Sequence, residues 1–130
     1  GDGNISKSIA DSKTHTYDID GEHTVKISGD FPAIKMVNIN GWNATSQEKI
    51  NVLKLQKITQ WGDIAWSSFY NAFSLCSNLD VNATDTPVLS TVDSTFSMFY
   101  RADKLKGNEY FNDWDVSHVT DMSFIFYDAR

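Results

Sequence analysis

The sequence predicts an α/β solenoid: a short stack of repeats of about 26 residues, each a strand plus a short helix, with a small antiparallel β element at the N-terminal end. Three observations predict it. The segment 66–76, WSSFYNAFSLC, returns as 92–102, VDSTFSMFYRA, and as 119–129, VTDMSFIFYDA, at spacings of 26 and 27 residues. A fixed period in this range marks stacked units, each covering its neighbour. Each copy holds apolar or small residues at offsets 0, 3, 6, 7 and 10, with Thr95 the exception, and that is the stripe of a one-sided helix. Near the front, Val25 and Ile27 alternate with Thr24, Lys26 and Ser28, the pattern of a half-buried strand.

The first thirteen residues are polar and open on Gly-Asp-Gly-Asn, a turn signal. Residues 14–20 and 22–28 read as two strands around Asp20-Gly21, a hairpin signal. A Gly-Asp-Phe-Pro turn at 29–32 leads to a third apolar run at 34–40. The polar stretch 41–49 sets a boundary, and 50–61, INVLKLQKITQW, reads as one strand.

Helices are then expected at about 66–76, 92–102 and 119–129. Offset 1 holds Ser67, Asp93 and Thr120, side chains suited to cap a first helical turn. A lone helix that short is unstable in water, so the copies must stack. The expected core is Trp66, Phe69, Phe73, Cys76, Leu79, Val92, Met98, Phe99, Leu105, Val119, Met122 and Phe126. Trp61, Pro87 and Trp114 align five residues before the copies.

The net charge of -6 and the lack of a basic cluster argue against nucleic acid and against an anionic membrane surface. No apolar run approaches the length of about 18 residues that spans a bilayer. The single cysteine, Cys76, excludes an intrachain disulfide and reads as a small buried hydrophobe. A metal site built from His15 and His23 with Asp18 or Asp20, or calcium held by Asp2, Asn4 and Asp18, has no supporting ligand spacing. Asp113 and Asp115 flank Trp114, and Asp63 sits near Trp61, but neighbouring carboxylates on turns are more often solvated or capping than catalytic. No cofactor and no enzymatic constellation is read. Outward-facing aromatics are the candidates for ligand contact: Tyr100 and Tyr127, one residue after the striped Phe, with Trp114 and Trp61.

Laid out this way, the chain resembles the BspA-like leucine-rich-repeat surface proteins of bacteria. The resemblance lies in Trp114-Asp115-Val116-Ser117-His118-Val119-Thr120-Asp121-Met122-Ser123 followed by Ile125-Phe126 and Ala129. Ala72-Phe73, Cys76 and Leu79, and the Gln60-Trp61-Gly62-Asp63-Ile64 entry, are similar to the same group. It covers about residues 50–130. The front looks like the second half of a PKD domain, a small β-sandwich, in Gly1-Asp2-Gly3, His15-Thr16-Tyr17 and Gly21-Glu22-His23-Thr24-Val25, with His23 where that family has Tyr. The chain thus divides into a partial PKD-like element at 1–42, acting as an N-terminal cap, and repeats at 43–130.

The resemblance implies a leucine-rich-repeat-like solenoid and non-catalytic binding at the bacterial cell surface, as in adhesion, with protein or host-surface partners. A carbohydrate-binding module and a structural spacer of a larger surface protein are the alternatives. The chain reads as a piece of a longer protein, and the apolar last copy (Phe124 to Tyr127) is expected to self-associate or fray.

Overall fold

The computed structural model describes residues 16–37 and 44–130. His15, Trp42, the Gly1-Asp2-Gly3 motif and Asn4 lie outside the described residues. In chain order the elements are α1 (Ser46–Val52), β1 (Lys57–Ile58), β2 (Asp80–Val81) and a 3-10 turn over Glu109–Asp113. β1 and β2 pair in parallel, Lys57 opposite Asp80 and Ile58 opposite Val81.

This overturns the α/β leucine-rich-repeat-like solenoid. Among the described residues there is one α-helix, and none of the segments 66–76, 92–102 or 119–129 is helical. The cause lies in the backbone. Asn71, Ser97 and Phe124, all at offset 5, have φ of 55°, 52° and 57°. Leu75, Arg101 and Asp128, all at offset 9, have φ of 66°, 55° and 56°. A left-handed residue cannot continue a right-handed helix. Each segment is instead a run of tight turns.

The hydrogen bonds of these turns follow one pattern. N–H groups at offsets 6, 8 and 10 donate three residues back within their own segment: Ala72 to Phe69, Met98 to Thr95 and Ile125 to Met122 begin the three series. N–H groups at offsets 3, 5, 7 and 9 donate to the next segment. Phe69, Asn71, Phe73 and Leu75 reach the carbonyls of Ser94, Phe96, Met98 and Tyr100 at 2.8–3.2 Å. Thr95, Ser97, Phe99 and Arg101 reach Asp121, Ser123, Ile125 and Tyr127 at 2.9–3.0 Å. The N–H at offset 4 is taken by the offset-2 side chain: Ser68 accepts from Tyr70, Ser94 from Phe96 and Asp121 from Ser123. The three segments therefore lie on one another in a single register, called here the first, second and third turns.

The hydroxyls read as helix caps tie turns together instead. Ser67 Oγ donates to the Pro32 carbonyl at 3.0 Å, and Thr120 Oγ1 to the Asp93 carbonyl at 3.1 Å. Thr91 Oγ1 does the same to the Trp66 carbonyl at 2.6 Å.

Inside the stack, Phe73, Phe99 and Phe126 form one column, with centroid spacings of 5.7 and 5.8 Å. Phe69 and Phe99 are fully buried, each worth about 1.5–3 kcal/mol of burial. Trp66, Cys76, Leu79, Val92 and Met98 are buried with them, and Leu105 and Val119 are half-buried. Met122 and Phe126, also expected in the core, are 42% and 50% exposed because they lie on the outer side of the third turn.

The N-terminal part differs from expectation as well. Residues 16–30 pair with nothing as strands among the described residues, and Ile19 and Val25 are exposed. The antiparallel β element is thus absent from the described residues. Residues 31–37 lie against the first turn: Ala33 bridges Ser68 in parallel, Met36 N–H donates to the Ala72 carbonyl, and Phe31 sets its edge on Trp66. The strand expected at 50–61 gives way to α1, whose start is fixed by a capping box. Thr45 Oγ1 accepts from Glu48 N–H while the Glu48 carboxylate accepts from Thr45 N–H.

Candidate functional site

The turn geometry sends offset 4 outward and, in the second and third turns, offset 8 as well, whereas Ser74 at offset 8 of the first turn is buried. Tyr70 and Phe96 occupy offset 4, and Tyr100 and Tyr127 occupy offset 8. Phe124, at the left-handed offset 5, joins them. Their rings touch in sequence. Tyr70 stacks on Phe96 at 5.0 Å, Phe96 meets Phe124 at 5.6 Å, Phe124 meets Tyr127 at 5.4 Å, and Tyr127 stacks on Tyr100 at 5.7 Å. Lys35 Nζ lies 5.4 Å from the Tyr70 centroid, a cation over an aromatic face. The result is a continuous aromatic ridge across all three turns. Phe124 and Tyr127 are each 55% exposed, and Phe96 and Tyr100 are half-buried.

Of the four aromatics predicted to contact a ligand, Tyr100 and Tyr127 stand on this ridge. Trp61 does not. It is 5% exposed and packs against Phe69, Phe73 and Trp114. Asp85 holds its backbone in place by accepting from the N–H groups of Trp61 and Gly62. Trp114 is half-buried with its ring edge against Phe111 at 4.8 Å. Both tryptophans are packing residues, and repeat equivalence already hinted at that. Phe96 and Phe124 are the ridge residues that sequence reasoning did not single out as contacts. The recurrence of an aromatic at offset 4, Tyr70 then Phe96, was the available signal.

The carboxylates serve the turns. Asp80 Oδ1 accepts from the N–H groups of Lys106 and Gly107, at 2.9 and 3.0 Å, and from Val81. Partial burial opposes ionisation of Asp80, but these three donors and the Lys106 charge outweigh it and hold the carboxyl below its ordinary pKa. Asp115 is lowered by the Ser117 hydroxyl and N–H, and Asp121 by the Ser123 N–H and hydroxyl. Asp63 and Asp113 are exposed. His23 Nε2 lies 2.7 Å from the Ile19 carbonyl and its ring stacks on Tyr17 at 4.0 Å. Burial pushes the Cys76 thiol up to about 12. Among the described residues no group of three or more His, Cys, Asp or Glu side chains is placed to hold a metal ion. No helix among them is long and apolar enough to cross a membrane.

No curated protein and no solved structure matches the chain. Residues 67–130, which hold all three turns apart from Trp66, match the model of the family DUF285, described as a Mycoplasma protein of unknown function.

Proposed function

We propose that the chain is a non-catalytic binding module of the bacterial cell surface, and that it meets protein partners along the outer aromatic ridge. The single observation behind this reading is that ridge: five touching rings on the solvent side of a rigid main-chain stack. A soluble protein seldom keeps so much contiguous aromatic surface in water without a use for it. Tyrosine and other aromatics are the residues that most often anchor protein interfaces. The surface location rests on the resemblance of residues 50–130 to BspA-like proteins, and the DUF285 match is compatible with it.

The ring geometry favours a protein over a glycan. Sugars stack on open aromatic faces. In the ridge, Tyr70 and Phe96 spend one face each on the other, at 11° to parallel, and Tyr100 and Tyr127 do so at 4°. Each stacked ring has one face fewer to offer a sugar, while Phe124 and Tyr127 stay 55% exposed and can anchor an apolar protein surface.

The test is to probe arrays of host surface proteins and of glycans with the 130-residue chain and with Phe124→Asn and Tyr127→Ser. Asn tolerates the left-handed backbone at 124. Protein binding lost in both variants is the expected result. Binding confined to glycans, or protein binding indifferent to both substitutions, would overturn the reading.

A further inference from the structure

Carboxylates outnumber cations in this chain, 17 to 11, yet at its Tyr70 end the ridge carries a cation. Residues 31–37 lie on the side of the first turn away from the second: Met36 N–H donates to the Ala72 carbonyl, and the Pro32 carbonyl accepts from Ser67 N–H. Lys35 sits between these two ties, exposed, with its Nζ 5.4 Å from the Tyr70 centroid. Phe96, from the second turn, stacks on the same ring at 5.0 Å. The row of rings therefore runs from Phe96 to Tyr70 to an ammonium group.

That charge is held but not neutralised. A ring face attracts a cation through its quadrupole and carries no net charge of its own. Among the described residues no carboxylate pairs with Lys35. Carboxylates of the same stack are engaged elsewhere: Asp85 with the N–H groups of Trp61 and Gly62, Asp121 with that of Ser123, and Asp128 with Arg101 at 3.4 Å. Lys35 is thus a rim charge beside an apolar surface. From that position a charge selects partners by sign more than it adds affinity.

Given the ridge as a protein-binding surface, on which this rests, we infer that Lys35 selects partner segments that set an Asp or Glu carboxylate beside an apolar anchor. The anchor packs on Tyr70 and Phe96, and the carboxylate meets Lys35 Nζ from the solvent side. Because the pair is exposed, its contribution is modest and is screened by salt.

A random peptide library displayed on phage and selected against the 130-residue chain tests it, with Lys35→Met, Lys35→Glu and Lys35→Arg alongside. Ridge binders are the peptides that Phe124→Asn and Tyr127→Ser both lose. Among them, sequences with Asp or Glu next to an aromatic or aliphatic residue should be enriched. Synthetic copies should bind Lys35→Met about threefold and Lys35→Glu about tenfold more weakly, and Lys35→Arg as well as the wild type. Copies with Gln in place of the acid should not distinguish the four proteins. All four should give the same circular dichroism spectrum, since Lys35 is exposed. Ridge binders without acidic enrichment, or acidic ones indifferent to Lys35→Glu, would overturn the inference and leave the ridge reading standing. Recovery of no ridge-dependent peptide would remove both. Binding of sialylated glycans in place of peptides, lost in Lys35→Glu, would overturn it as well.

Discussion

The rings of Phe99 and Phe126 lie 5.8 Å apart and within 2° of parallel, while Phe99 is fully buried and Phe126 is half exposed. Two equivalent residues one repeat apart thus have very different energetic weight. Phe99→Ala should cost about 3–5 kcal/mol, the usual range for emptying a buried aromatic site. Phe126→Ala, with water already on its outer side, should cost about 1 kcal/mol or less. Urea unfolding of the two variants measures both, and equal costs would mean that the column is not the core.

Thr95 interrupts the apolar stripe, and its Oγ1 is buried with no hydrogen-bond partner among the described residues. A buried unpaired hydroxyl costs about 1–3 kcal/mol relative to a satisfied one. Valine has the same shape without the polar atom. Thr95→Val should therefore raise stability by about 1 kcal/mol, seen as a higher denaturation midpoint with an unchanged slope.

Gly107 and Gly62 both have left-handed backbones, with φ of 64° and 69°. A Cβ at Gly62 would meet open space, whereas at Gly107 it would run into the Phe111 ring. Gly62→Ala should cost about 1 kcal/mol of backbone strain. Gly107→Ala should cost about 1–3 kcal/mol more, because the aromatic ring must move. Thermal unfolding of the pair isolates the steric part.

Asp80 joins β2 to the loop at 106–107, and its pKa is depressed in the folded state. A depressed carboxyl contributes stability that is complete above its unfolded pKa and is lost as pH falls through the folded one. Stability should thus be flat near neutrality in this respect and should fall in the acid range below the ordinary carboxylate pKa. Asp115 and Asp121, whose carboxyls are held low by Ser117 and Ser123, act in the same direction. Asp80→Asn, which keeps an acceptor but cannot titrate, should be less stable at neutral pH and less sensitive to acid. Unfolding midpoints from about pH 2.5 to 7 check both.

The burial pattern was legible in the sequence, but the backbone was not. Offsets 0, 3, 6, 7 and 10 do point inward in the first two turns, as Trp66, Phe69, Phe73, Val92, Met98 and Phe99 show. Turns that hydrogen-bond three residues back repeat their inward positions every three to four residues, much as a helix does. Periodicity alone cannot separate the two. What decides is the left-handed backbone at offsets 5 and 9, occupied by Asn71, Ser97, Phe124, Leu75, Arg101 and Asp128. Only Asn and Asp among these advertise that conformation, so the signal is weak residue by residue. Thr45 and Glu48 carry the spacing of the α1 capping box, whereas the alternation that follows them has the period of a strand. Of the ridge, Tyr100 and Tyr127 were readable as neighbours of the column, while Phe124 shares its left-handed backbone with the buried Asn71 and Ser97 and is exposed because it lies on the outer side of the third turn.

The stack itself is tested most directly by NMR couplings transmitted through hydrogen bonds. The register described above predicts couplings from the Phe73 nitrogen to the Met98 carbonyl carbon and from the Phe99 nitrogen to that of Ile125. Couplings from Phe73 to Phe69 and from Phe99 to Thr95 instead, four residues back along the same segment, would mean that these segments are helices and would contradict it.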